Sequence, residues 1–216
     1  MSELTQISKD SCRWRRRKEE RPAEILAAAL KMFSSKGFAS TRLDEVAREA
    51  GVSKGTLYLY FESKEALFKA VVTEFVLPQI ARAEQQAEKE TGSIKDLMIK
   101  LIEQWQKNVL ETELSGIAKM MIAEASNFPE LASFYIENVI QRTRGFVANL
   151  ISRGIKTSEF IECDADYTAR TFLTPMVFSA VWQHSLAPFD ESYDVDKYLK
   201  VHMEIFFRGI LKESQE

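Results

Sequence analysis

The sequence predicts an all-α protein: a small N-terminal helix-turn-helix head followed by a larger helical body. Three observations lead there. Apolar residues recur at helical spacing in successive runs along the chain. Residues able to cap a helix stand before several of those runs. Two short helical patterns lie either side of Gly51-Val52, close enough to form a sharp corner. At 216 residues the chain can bury a substantial core and still divide into a head and a body, and its 45% hydrophobic and 28% charged residues are ordinary for a globular protein.

Residues 1–20 read as a flexible segment carrying a basic run, Arg13, Arg15, Arg16, Arg17 and Lys18, interrupted by Trp14. Pro22 then stands where a first helical turn tolerates it. Ile25, Leu26, Ala29, Leu30 and Phe33 form one stripe, and Gly37 ends that helix. Thr41 is expected to cap the next helix, where Leu43, Val46, Ala47 and Ala50 fall on one face. Gly51 can take the left-handed conformation that closes a helix, and Val52 returns an apolar side chain to the corner. Ser53 is the expected cap of the following helix. There Leu57 and Phe61 are core residues, one turn apart, and the remaining residues look outward.

That outward face has the chemistry of a phosphate-lined groove. Lys54 supplies charge, Gly55 lets backbone come close, and Thr56, Tyr58 and Tyr60 carry donors for phosphate oxygens or base edges. Ser63 caps a third helix that opens with Lys64, a further candidate phosphate contact. The candidate DNA-binding set is therefore Thr41, Arg42, Ser53, Lys54, Gly55, Thr56, Tyr58, Leu59, Tyr60 and Lys64. On spacing alone, a plain helical corner with a polar surface competes with this reading.

The run from Pro22 to Phe68 resembles the DNA-binding domain of the TetR family of bacterial transcriptional regulators. The matching residues are Ile25, Ala28, Phe33, Gly37, Phe38, Thr41, Glu45-Val46-Ala47, Ala50-Gly51-Val52-Ser53, Gly55-Thr56-Leu57-Tyr58, Tyr60-Phe61, Lys64 and Leu67. Tyr60 departs from the histidine of many members, and Arg42 from a common hydroxyl residue. The resemblance implies a homodimeric, one-component repressor released by a small ligand, with residues 1–20 as an arm along the duplex, 21–66 as the DNA-binding domain and 67–216 as the regulatory and dimerisation domain.

Beyond the head, Leu67, Phe68, Val71, Val72 and Phe75 predict one long helix running to Glu90, kinked at Pro78. Thr91-Gly92 breaks it and Ser93 caps the next, which carries Met98 and Trp105. A helix from Leu114 to Ser126 holds Met120 and Met121. Another runs from Glu130 to about Arg153, contains Phe146, and is expected to end at Gly154. Asp164 and Asp194 are the caps expected for the last two helices, the first interrupted by Pro175. Met98, Trp105, Met120, Met121 and Phe146, with Thr174, Phe178 and Trp182 near the Pro175 irregularity, are candidate lining groups for an apolar effector, against the alternative of plain core. Phe172, Met176 and Ala180 on one helix and Tyr198, His202, Ile205, Phe206 and Gly209 on the other supply more apolar surface than one core needs. The resemblance implies that they pair with a second copy as a four-helix interface.

The net charge of −3 conceals an asymmetry that favours a nucleic-acid partner for the head: residues 1–70 carry 14 Lys+Arg against 10 Asp+Glu, and residues 71–216 carry 15 against 22. Cys12 and Cys163 have no partner spacing, and His184 and His202 stand alone, so neither a disulfide, a metal nor a cofactor is expected. No apolar run approaches a membrane span, and the protein is expected to be cytoplasmic and nucleoid-associated when bound to DNA. Two other functions compete: a helical enzyme using the body cavity, and an adaptor without DNA binding. No HExxH, GxSxG or P-loop pattern supports the enzyme. The expected partners are a double-stranded DNA operator, a small-molecule effector and a second copy of the chain.

Overall fold

The computed structural model describes residues 21–212, and every named element among them is helical. The chain divides into two compact units between Glu74 and Phe75. The basic run at 13–18 lies outside the described residues.

The first unit is built on α1 (residues 21–36), α2 (Leu43–Glu49), α3 (Lys54–Tyr60) and α4 (Lys64–Val71). Its core holds Ile25, Ala29, Phe33, Phe38, Val46, Leu57, Leu67 and Phe68, all buried. Phe33, Phe38 and Phe68 meet with ring centroids 5.6–5.9 Å apart, one pair stacked and two edge to face. Gly37 ends α1 with φ +84°, as its sequence position suggested.

The corner between α2 and α3 arises from local chemistry. Gly51 has φ +66°; its amide donates to the Arg48 carbonyl at 3.1 Å, and the Val52 amide donates to the Ala47 carbonyl at 2.9 Å. This pair of bonds satisfies carbonyls that the helix end leaves open, and a left-handed residue is required to make it. Ser53 then caps α3, its Oγ accepting from the Thr56 amide at 3.1 Å. Ser63 caps α4 by accepting from the Ala66 amide at 3.0 Å.

The second unit contains α5 (Leu77–Lys89), α6 (Ile94–Trp105), α7 (Ser115–Glu124), α8 (Pro129–Tyr135), α9 (Gln141–Lys156), α10 (Ala165–Gln183) and α11 (Val195–Ile210). A shared core joins α6, α9, α10 and α11 through Leu97, Met98, Leu150, Ile151, Phe172, Met176, Phe206 and Phe207. The expected caps form: Ser93 accepts from the Asp96 amide, Asp164 from the Asp166 and Tyr167 amides, and Asp194 from the Lys197 amide. Glu159 adds a second cap to α6, its carboxylate accepting from Ser93 Oγ at 2.6 Å and from the Ile94 and Lys95 amides at 2.8 and 3.0 Å. Burial opposes its charge, but these donors outweigh burial and hold its pKa below the ordinary glutamate value.

Two expected boundaries are corrected. The irregularity between α4 and α5 is a π-helical turn at Val72–Val76, and Pro78 sits in the first turn of α5. Proline has no N–H to give the preceding turn, and its ring fits best at a helix start, so the change of register falls upstream of it. Gly154 does not end its helix; α9 continues to Lys156. Its role is close packing, because a Cβ there would lie 2.3 Å from the Phe160 ring. Ser158, with φ +61°, makes the turn instead. Further π-helical turns stand at Gln106–Leu110 and Ile136–Ile140, and neither left a sequence signal.

Candidate nucleic-acid interface

The outward face of α3 carries Lys54, Gly55, Tyr58 and Leu59, all exposed, while Leu57 turns wholly inward and fixes the helix on the core. Lys54 Nζ lies 5.9 Å from the centroid of the Tyr58 ring, one turn on, so charge and phenol share one ridge. Ser53 Oγ and Thr56 Oγ1 lie 2.8 Å apart at the start of the helix. Ser53 is therefore engaged as the cap, and Thr56 and Tyr60 are half-buried beside the exposed ridge. Arg42 is exposed and paired with Asp44 at 3.2 Å; the guanidinium's hydrogen bond holds the Asp44 carboxyl below its ordinary pKa.

Two residues expected at the interface serve beneath it. Thr41 is 1% exposed, and its hydroxyl donates to the Gly37 carbonyl at 2.7 Å, with the Met32 carbonyl 3.3 Å away. It does not cap α2, whose N-cap position is Arg42 and has no side-chain cap bond. Threonine here closes the turn after α1 because its hydroxyl ties the Gly37 carbonyl and the last turns of α1 to the start of α2. Lys64 Nζ donates to the carbonyls of Phe38, Ala39 and Thr41 at 2.8, 3.2 and 3.1 Å and sits 4.5 Å from the Phe38 ring centroid. An ammonium has three N–H donors, and all three have partners within the chain. Lys64 is therefore a positioning residue that ties α4 to the α1–α2 turn. Sequence spacing could not distinguish these roles, since a lysine opening a helix fits either.

Lys31 pairs with Glu49 at 2.7 Å and Lys36 with Glu45 at 2.9 Å, pinning α1 to α2. These are exposed pairs whose worth is small.

In the second unit the candidate effector and interface residues divide by burial. Met98, Met120 and Met121 are buried, Trp105, Phe146 and Trp182 are half-buried, and Thr174 and Phe178 point outward from α10. The eight are therefore split between interior and surface. A groove of about 720 Å³ between α6 and α11, floored by Ile99, Ile102, Leu199, Met203 and Phe207, includes none of them. Phe178 and Trp182 instead join a closed circuit of rings with Tyr193 and Tyr198, successive centroids 5.3–6.5 Å apart. Tyr193, which binds this circuit to α10 through Ser179 at 3.3 Å, went unnoticed in the sequence because it stands outside any periodic run.

Among the candidate interface residues, Phe172, Met176, Ala180 and Phe206 are buried within the single chain. Ile205 is 66% exposed, Gly209 is exposed, and Tyr198 and His202 are half-buried. The outward stripe of α10 and α11 is thus Val177, Phe178, Val201, Ile205 and Gly209. Helical periodicity identifies the apolar positions but does not say which of them meet the core.

Neither histidine is isolated in space. His184 Nε2 lies 2.7 Å from Ser115 Oγ, and His202 Nε2 donates to the Phe172 carbonyl at 3.1 Å. Burial lowers both pKa values below 6.5; Lys119 lowers that of His184 further, and the Phe172 bond partly opposes the shift at His202. No group of three or more potential metal ligands occurs among the described residues. No described helix is long and apolar enough to cross a membrane.

Known proteins divide along the same lines. Residues 25–71 match the family described as "Bacterial regulatory proteins, tetR family", and residues 96–204 match "AefR-like transcriptional repressor, C-terminal domain". The HTH-type transcriptional regulator YfiR of Bacillus subtilis is 34% identical over 201 residues, 92% of this chain and 96% of its own. RutR of Escherichia coli is 54% identical over 52 residues, 24% of each chain. The transcriptional regulator FadR from Bacillus subtilis, solved in complex with stearoyl-CoA, shares the fold with TM-score 0.72 at 21% identity, over 87% of this chain and 98% of its own. A transcriptional regulator from Saccharomonospora viridis, solved in complex with choline, has TM-score 0.75 at 18% identity, over 90% of this chain and all of its own.

Proposed function

Because the chain belongs to the TetR family and is a transcriptional regulator rather than an enzyme, we propose that it acts as a homodimeric repressor which a small apolar or aromatic effector releases from a palindromic operator. The observation that carries the DNA-binding half is the α3 face, where Lys54, Tyr58 and Leu59 stand exposed on a helix anchored from below by Leu57 and set off from α2 by the Gly51 turn. Lys54 and Tyr58 reach phosphate oxygens and base edges, and Arg42 extends the basic border. The exposed stripe of Val177, Phe178, Val201, Ile205 and Gly209 supports an isologous pairing with a second copy. Two half-sites then lie about one helical turn apart, ~34 Å, or a multiple of it.

The effector reading rests on the body. Its methionines and aromatic residues are adaptable lining, and the stearoyl-CoA and choline complexes of the two solved relatives support a fold of this kind holding a small molecule. Release requires the effector to bind the DNA-incompetent arrangement more tightly, and coupling of roughly 1–3 kcal/mol is usual for such switches. A mobility-shift titration on the protein's own promoter region tests the proposal. A discrete complex that weakens steeply with salt is expected; equal affinity for unrelated duplexes would refute sequence recognition. Mass spectrometry of small molecules released on denaturation identifies the effector class.

A further inference from the structure

From the exposed face of α3, we infer that Leu59 is a specificity-determining residue that reads the C5-methyl group of a thymine in each half-site. The inference rests on the DNA-binding reading above. An exposed leucine alone is ordinary on a protein surface, but three features set this one apart.

The first is its degree of exposure. Leu59 is 83% exposed, and among the described residues up to Glu74 the other exposed large apolar side chain is its neighbour Tyr58, at 46%. The unit has otherwise placed Ile25, Phe33, Phe38, Val46, Leu57, Leu67 and Phe68 inside. Two adjacent side chains form too small a patch for a protein partner, since such interfaces need ~800 Å² per side.

The second is Gly55, one turn before Leu59. Its φ lies outside the left-handed region, and a Cβ built there meets only Ser53 Oγ at 3.8 Å. Neither backbone conformation nor packing within the chain requires glycine, which lowers helix stability. The bare turn leaves room for an outside surface to approach the helix beside Leu59.

The third is the chemistry of the neighbours. Lys54 and Tyr58 flank the same ridge with a charge and a phenol, groups that suit phosphates and base edges. Leucine has no donor or acceptor, so it cannot contribute to that polar contact. In the major groove the base edges present acceptors, donors and one apolar group, the thymine methyl. Leu59 matches that group and no other feature of the groove.

The test begins with the full chain and a duplex obtained by selecting from random sequence. Each thymine of the selected site is then replaced by deoxyuridine, which removes the methyl and leaves every hydrogen-bonding group in place. For the natural chain we expect one position per half-site at which this replacement weakens binding about three- to fivefold, the worth of one buried methyl. Leu59→Ala is expected to bind the thymine duplex as weakly as the natural chain binds the deoxyuridine duplex, and to show no further loss with deoxyuridine. Its salt dependence stays unchanged, because no phosphate contact is removed. The exposed site makes misfolding of this variant a poor explanation, and the deoxyuridine scan needs no variant at all. A flat scan, or a Leu59→Ala variant that keeps the full deoxyuridine penalty, overturns the inference while leaving DNA binding intact. If the natural chain selects no duplex, the regulator reading falls and takes the inference with it.

Discussion

Gly55→Ala should stabilise the protein and weaken its hold on DNA, two effects of opposite sign from one methyl group. Within the chain the added Cβ meets nothing closer than Ser53 Oγ at 3.8 Å, an ordinary van der Waals contact, and φ is already one that alanine adopts. The folded state therefore gains no strain, while the unfolded chain loses freedom. A gain of about 0.5 kcal/mol results, at the low end for Gly→Ala because the residue lies in the first turn of α3. For a chain of this size that raises the melting temperature by roughly 1–2 °C. In the proposed DNA complex the same methyl stands on the face turned toward the groove. Overpacking by one methyl costs about 1–3 kcal/mol, so affinity should drop roughly fivefold or more. Thermal melting by circular dichroism and fluorescence anisotropy with a labelled operator measure the two effects. Unchanged affinity with a raised melting temperature would show that DNA does not approach Gly55; a lowered melting temperature would show that glycine is needed by the fold itself.

The same geometry sets other outcomes. Lys64→Met removes an ammonium bonded to three carbonyls and should lower stability by about 2–4 kcal/mol in urea denaturation; a loss under ~1 kcal/mol would mean that water replaces those bonds freely. Ile205→Glu should give a folded single subunit by light scattering, whereas Phe206→Glu, buried in the body core, should disrupt folding; a dimeric Ile205→Glu variant would move the interface to another surface. The depressed pKa values of His184 and His202 mean that the unfolded chain takes up protons before the folded one does. Their contribution is complete above about pH 6.5 and declines as pH falls below it. Melting temperatures at about pH 7.5 and 5.5, either side of the ordinary histidine pKa, should therefore differ more for the natural chain than for a His184→Gln, His202→Gln double variant; equal differences would remove both histidines from the effect.

The helix-turn-helix corner was legible because its determinants are local. Gly51 must supply the positive φ, Ser53 and Ser63 must cap the helices that begin directly after them, and Leu57 is the apolar residue that points inward from α3. Caps at Ser93, Asp164 and Asp194 were legible for the same reason. The features that the sequence concealed depend on where a side chain points or on residues far apart in it. Thr41 reads as a cap until its hydroxyl is seen on Gly37, and Lys64 reads as a phosphate ligand until three carbonyls claim its protons. Gly154 resembles a helix stop because no sequence pattern announces that the turn at Ser158 lays the Phe160 ring against it. On α10 and α11 the apolar positions were visible, but only packing against α6 and α9 decides that Phe172 and Phe206 face inward and Ile205 outward.

The stoichiometry of the DNA complex tests the central claim most directly. Light scattering of the full chain with a duplex carrying two inverted half-sites should give two chains per duplex, and moving the half-sites by half a helical turn should abolish that complex. A single chain bound as tightly to one half-site, or binding indifferent to sequence and spacing, would contradict it.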